Sequence, residues 1–226
     1  MKQETLEDIE RSSSMDPLDT LKKAIVTYDN ELAISSATKA IEQGKDPLKI
    51  MDAMTIAIRL VGDAFGRDEL WLPQLVGASE AMLRATPLVE EEIKKTGAER
   101  EVLGRIVIGT VFGDIHTIGK TMVATLLTAE GFEVHDIGIN VKAEEFIEAV
   151  KKYNANILAM SALMTTTAPE QMKVIETAKK AGLRDKMKVM VGGGAINEEF
   201  ADSIGADGYE PTAPRAVKLA RTFVGK

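Results

Sequence analysis

The chain has 226 residues, 45% of them apolar and 28% charged, enough to bury one large core or two small ones in an ordinary globular protein. Its net charge is −7 and it has no cysteine, which excludes disulfides, thiolate metal sites and cysteine nucleophiles. No apolar run reaches bilayer length and no secretory pattern opens the chain, so a cytoplasmic location with no membrane partner is expected. The acidic excess is one-sided: residues 1–100 hold 19 of the 35 acids but 13 of the 28 bases. With no basic stripe anywhere, nucleic acid is not an expected partner either.

Residues 1–15 read as a loose or helical N-terminal extension. Asp16-Pro17 pairs an N-cap with a proline at the first helical position, and Leu18, Leu21, Ile25 and Tyr28 follow at helical spacing. Ala33–Ile41 reads as a second helix. Asp46-Pro47 opens a third through Ile50, Met54, Ile58 and Val61, and Leu72-Pro73 opens a fourth with apolar positions at Val76, Met82 and Leu83. Four helices on short connections predict an antiparallel bundle over residues 16–92. Residues 93–104 are charged (Lys94-Lys95, Glu99-Arg100-Glu101) and read as a linker. From residue 105 the rhythm changes. Strands are predicted at Ile106–Phe112, Phe132–Ile137, Ile157–Met160, Met187–Val191 and Asp207–Tyr209, with a helix after each. That alternation predicts an α/β domain over 105–226, a flavodoxin-like (Rossmann-like) parallel sheet wrapped by helices. Ligands of such sheets sit beyond the carboxyl ends of the strands, where this sequence places Asp114, His116, Ser161 and the glycines 192–194.

The segment Gly113-Asp114-Ile115-His116-Thr117-Ile118-Gly119-Lys120-Thr121 is the most informative. Gly119-Lys120-Thr121 looks like the end of a phosphate-binding P-loop, but five residues rather than four precede the Gly-Lys pair, and the required glycine is Asp114. A metal reading fits better. A neutral imidazole is a common metal ligand whose second nitrogen is usually fixed by a carboxylate, and Asp114 lies two residues from His116. Alone, the pair also reads as a structural loop histidine and a helix N-cap.

Asp114-x-His116-x-x-Gly119, then Ser161-x-Leu163, then Gly193-Gly194, resembles the pattern of base-off, histidine-on cobalamin-binding domains. Val61-Gly62, Phe65 and Leu72-Pro73-Gln74 resemble the helical cap that precedes that domain in methionine synthase and in the corrinoid proteins of methylotrophic methyltransferase systems. The resemblance spans nearly all of residues 16–226. It implies cobalamin as cofactor, His116 as the lower ligand to cobalt, Asp114 hydrogen-bonded to the distal ring nitrogen and Thr167 extending that relay. It implies a slot for the nucleotide tail lined by Gly119, Ser161, Thr165, Gly193 and Gly194, with Gly113, Ile115, Thr117, Leu163 and Ala213 as further contacts. Trp71 would shield the upper face. Plainer readings stand beside these: Ser161 ends a strand, Thr165–Thr167 caps a helix, Trp71 packs a core. His135 has no matched motif. Thr117 and Thr121 depart from the Asp and Asn that many methyltransferase corrinoid proteins carry there.

The resemblance further implies a shuttle subunit, presenting cob(I)alamin to a substrate-specific methyltransferase, with methylamine favoured. It would hand methyl-cob(III)alamin to a second methyltransferase acting on a thiol or folate, and a reductive activase is expected. Lacking cysteine, and with one spare histidine, the chain has no means to build the zinc site that activates thiols, so a non-catalytic carrier is expected. The alternatives are an adenosylcobalamin mutase subunit, which usually lacks the helical region, and a cobalamin-dependent regulator, which needs a DNA-binding surface.

Overall fold

The computed structural model describes residues 5–12, 16–97 and 102–225. The charges Glu99-Arg100-Glu101 and parts of the N-terminal extension lie outside them. The chain divides into two compact units, Met1–Glu101 and Val102–Lys226.

The first unit is helical: α1 (Leu6–Arg11), α2 (Pro17–Val26), α3 (Asn30–Glu42), α4 (Pro47–Gly66) and α5 (Leu72–Thr96). The aspartates before these helices start them as their chemistry requires. Asp16 accepts from the Leu18 N–H at 2.8 Å, Asp29 from Leu32 at 2.9 Å and Asp46 from Leu48 at 2.9 Å. Asp16 also meets the Lys45 ammonium at 2.6 Å, tying the start of α2 to the turn after α3. Leu21, Ile25, Ile50, Met54, Ile58 and Leu75 are fully buried with a run of alanines between them. On α5 the buried stripe is Leu75, Ala78, Met82, Ala85 and Val89. Leu83, expected on that face, is exposed, because one residue past Met82 turns it about 100° away. The helix carries Pro87 inside it, continues to Thr96 and stops at Gly97 in the left-handed conformation. The first residues of the expected linker are thus helix.

The second unit holds a five-stranded parallel sheet in the order β2-β1-β3-β4-β5: β1 (Arg105–Thr110), β2 (Glu133–Asp136), β3 (Ile157–Ser161), β4 (Lys188–Gly192) and β5 (Gly208–Tyr209). Helices α6 (Ile118–Ala129), α7 (Ala143–Tyr153), α8 (Pro169–Lys180), α9 (Glu198–Ile204) and α10 (Ala213–Phe223) connect and cover it. This is the flavodoxin-like order, whose reversal point lies between β1 and β3. Val107, Leu158 and Val189 from the three central strands pack with Phe146, Val174 and Ile175 in one core. The first strand is shorter than expected. Beyond Thr110 only Val111 bridges, to Val141, and Phe112 is exposed. Among the described residues no helix is long and apolar enough to cross a membrane.

Candidate functional site

The carboxyl ends of β1 and β3 bring together the residues that the sequence singled out. Asp114 follows β1 and is fully buried, 0% exposed. Its Oδ1 accepts the His116 N–H at 3.0 Å and lies 2.7 Å from His116 Nδ1. Its Oδ2 accepts the Leu163 N–H at 2.7 Å, the Met164 N–H at 3.4 Å and the Thr167 hydroxyl at 2.7 Å. Burial pushes this carboxyl up, but the donated bonds from the His116 amide, Thr167, the His116 ring and Leu163 outweigh it and hold the group well below the ordinary carboxylate range. An ionised carboxylate only accepts, so Nδ1 of His116 donates to it, and Nε2 is the ring nitrogen left to meet a ligand.

The histidine side chain is 47% exposed. Around it the usual distribution is inverted: Phe112, Ile115, Ile139, Leu163 and Met164 on loops and Ile118 at the start of α6 are all exposed apolar residues at this edge of the sheet. A half-exposed imidazole tied back through Nδ1 and set in apolar surface fits a broad flat group with a metal at its centre. Among the described residues no cluster of three or more His, Asp or Glu stands ready to hold a bare ion.

Gly113 joins the group through its N–H, which donates to the Asn140 side chain at 2.7 Å. The Asn140 N–H returns a bond to the Asp114 carbonyl at 3.0 Å. Thr110 donates to the His116 carbonyl at 3.0 Å. Thr167 makes its bond to Asp114 rather than capping α8, and Asp114 does not cap α6. Ser161 ends β3 in register with Thr110 and Gly192, and Thr165 is exposed in the following turn. Gly193 has a φ of +124°, and a Cβ there would fall 1.9 Å from the Ala162 carbonyl oxygen. Its glycine is therefore required by its own chain, a reason separate from the slot that the resemblance implied. A Cβ on Gly119 would meet nothing within 4 Å. The Thr117 and Thr121 hydroxyls lie 3.3 Å apart. Ala213, at the start of α10, shares no hydrogen bond with the Asp114 group. Trp71, in the helical unit, precedes α5 with its N–H held by Gln74 at 2.7 Å and is 78% exposed, so it is not a core residue.

Lys120 closes the phosphate reading. It is buried and paired with Asp136 at the end of β2, so its ammonium does not face the loop. The residues that sequence reasoning missed are Thr110, Asn140, Met164 and Gln171. Only Gln171 left a trace, as an uncharged polar residue on the inner face of α8 one turn from Val174 and Ile175.

The sheet order, the buried carboxylate behind His116 and the apolar rim define a cobalamin-binding protein. Residues 104–218 match the family model described as a B12 binding domain, and residues 17–90 match a second model of the same description. The chain belongs to the methylotrophic corrinoid proteins. It is 42% identical to the trimethylamine corrinoid protein of Methanosarcina barkeri over 87% of this chain and 91% of that protein. Dimethylamine corrinoid protein 1 of Methanosarcina mazei is 41% identical over 95% of this chain and 100% of its own length. Among solved structures, the methanol:cobalamin methyltransferase complex of M. barkeri superposes with a TM-score of 0.80 at 30% identity, covering 100% of this chain and 86% of that one.

Proposed function

We propose that this chain carries a methyl group between two methyltransferases, taking it from an enzyme that acts on a methylated amine and yielding it to one that serves a thiol or folate acceptor. A reductive activase maintains the cofactor. The cobalt of the bound corrinoid supplies the methyl-accepting and methyl-releasing chemistry. The residues of the chain bind and orient it. His116 would hold the cobalt through Nε2, Asp114 would fix the tautomer, and Leu163 and Thr167 hold Asp114. The exposed apolar side chains exclude water from the ring edge, and the glycines at 119, 193 and 194 leave room for the tail.

The observation that carries this reading is the Asp114–His116 Nδ1 contact at 2.7 Å on a side chain that is 47% exposed. A carrier rather than an enzyme is supported by the second histidine. His135 is stacked on Tyr153, ring centroids 3.7 Å apart, and contacts Glu133 at 2.8 Å, so it is committed elsewhere. Activation of the methyl donor and of the acceptor falls to partner proteins, as the resemblance to a methyltransferase complex supports. An amine donor is favoured because relatives named for tri- and dimethylamine are 41–42% identical, while among solved structures the monomethylamine corrinoid protein of Methanosarcina barkeri is 32% identical and the methanol complex 30%.

The test is reconstitution with hydroxocobalamin beside His116→Ala. The wild-type chain should retain corrinoid with a histidine-ligated visible spectrum, and the variant should lose that spectrum. Failure of the wild-type chain to retain corrinoid would overturn the cobalamin site. For the donor, the reduced protein is mixed with amine-specific and methanol-specific methyltransferases and their substrates. Loss of the reduced-cobalt absorbance only with methanol would overturn the amine assignment.

A further inference from the structure

Gln171 lies on α8, one turn after Thr167, and is fully buried. Its Nε2 donates to two backbone carbonyls, Met160 on β3 and Gly192 on β4, each at 3.1 Å. Its Oε1 is buried without a partner among the described residues. Burying an amide with an unmet acceptor is unfavourable, so an apolar side chain filling this place would serve a mere core position better. The carbonyls it joins stand at the exits of the two strands that lead into the site. The Gly192 carbonyl also accepts the Ala162 N–H at 3.0 Å. The next residue, Leu163, donates the 2.7 Å bond to Asp114. On the other side of the joint, Gly193 abuts the Ala162 carbonyl with no room for a side chain.

We propose that Gln171 is a positioning residue for the axial histidine: by bridging the Met160 and Gly192 carbonyls it fixes the spacing of the β3 and β4 exits, and so keeps the Leu163 and Met164 amides on Asp114 behind His116. The bridge is a property of the chain's own backbone, and its consequence for cobalt rests on the cobalamin reading above.

Two variants and a control test it in the full chain. Gln171→Met keeps the length and removes both donors. Gln171→Asn is one methylene short and reaches at most one carbonyl. Val174→Ala, one turn further along α8 in the core, loosens the same helix without touching either carbonyl. Amide hydrogen exchange at Leu163 and Met164 is measured without cofactor, at temperatures set equally far below each variant's melting point. Exchange should be about tenfold faster in Gln171→Met than in Val174→Ala, as loss of one to two hydrogen bonds implies, with Gln171→Asn between them. If Gln171→Met does not fold, Gln171→Asn alone carries the comparison. After loading with hydroxocobalamin, the histidine-ligated fraction should fall in the same order. Equal exchange in the Gln171 variants and in Val174→Ala would overturn the bridge. A wild-type chain that retained no corrinoid would sink the cobalamin reading instead, and the exchange comparison would still decide the bridge.

Discussion

In the helical unit the buried polar side chains among the described residues are Ser36 and Ser79. In the α/β unit they are Thr110, Asp114, Lys120, Thr125, Thr167 and Gln171. Most of the second set converge on the carboxyl edge of the sheet, where large apolar side chains are exposed instead. Burial of polar groups is unfavourable unless each finds partners, and exposed apolar clusters on a monomer mark binding surfaces. The helical unit, by contrast, is held by apolar packing between alanine-rich faces and by caps at its surface. Two regions of similar size therefore answer to different demands: the helical unit buries almost no polar side chain, though Ile56, Trp71 and Leu83 are exposed on it, and the α/β unit keeps an edge that buries polar groups and exposes apolar ones together.

The sharpest way to break this contrast is a matched pair of substitutions. Asp114→Ala leaves the Leu163 amide, the Thr167 hydroxyl and the His116 donors without their acceptor, and should cost about 3 to 5 kcal/mol in urea unfolding. Met54→Ala, in the fully buried core of the helical unit, should cost about 2 to 5 kcal/mol. Only the first should abolish the histidine-ligated spectrum of the loaded protein. Loss of that spectrum in both would show that the units do not divide the work as described.

Smaller and more selective effects follow from the two glycines. Gly193→Ala forces the new Cβ into the Ala162 carbonyl from a φ that L residues rarely adopt, and should destabilise by about 1 to 3 kcal/mol. Gly119→Ala places its Cβ in open space within α6 and should be neutral or stabilising by about 0.5 to 1 kcal/mol, while corrinoid affinity, measured by equilibrium dialysis, falls. An unchanged affinity would remove Gly119 from the tail slot.

The least effect is expected at the surface of the helical unit. The Asp16 carboxyl is lowered chiefly by its hydrogen bond from Lys45, then by the Leu18 N–H. A carboxyl lowered on folding contributes stability that is present above its unfolded pKa of about 4 and lost as the pH falls through the folded value. Asp16→Asn keeps a capping side chain and removes the charge. The advantage of wild type over this variant in melting temperature should shrink as the pH falls below about 4 and be constant near neutrality.

Much of the architecture was legible because it was written in local signals. Asp16-Pro17, Asp46-Pro47 and Leu72-Pro73 marked helix starts, and apolar runs of strand length alternating with helical spacing gave the parallel sheet. The misreadings came from tertiary context. α5 runs on to Thr96, into the residues expected as linker, and β1 ends at Thr110 with Val111 left as an isolated bridge to Val141. At the site, Asp114 and His116 stand two residues apart and could be paired from sequence, and the family pattern added Thr167 from fifty-three residues away. Asn140 and Gln171 could not be found so. Each acts through a backbone group on a different element, and which carbonyl or amide lies within reach is set only by strand register. Gly193 was expected to make room for a nucleotide tail, whereas the obstacle a side chain would meet there is the Ala162 carbonyl of its own chain.

Lys120 and Asp136 have a consequence beyond closing the phosphate reading. The one cation at the start of α6 is answered inside the chain, and the charge of Asp114 is met by donors from its own loops. The edge presents an imidazole and hydrocarbon, and among the described residues its buried charges, Asp114 and Lys120, are both compensated. Ionic strength has little to screen at such a surface, so cofactor retention should persist in salt concentrations that strip a ligand from a phosphate loop.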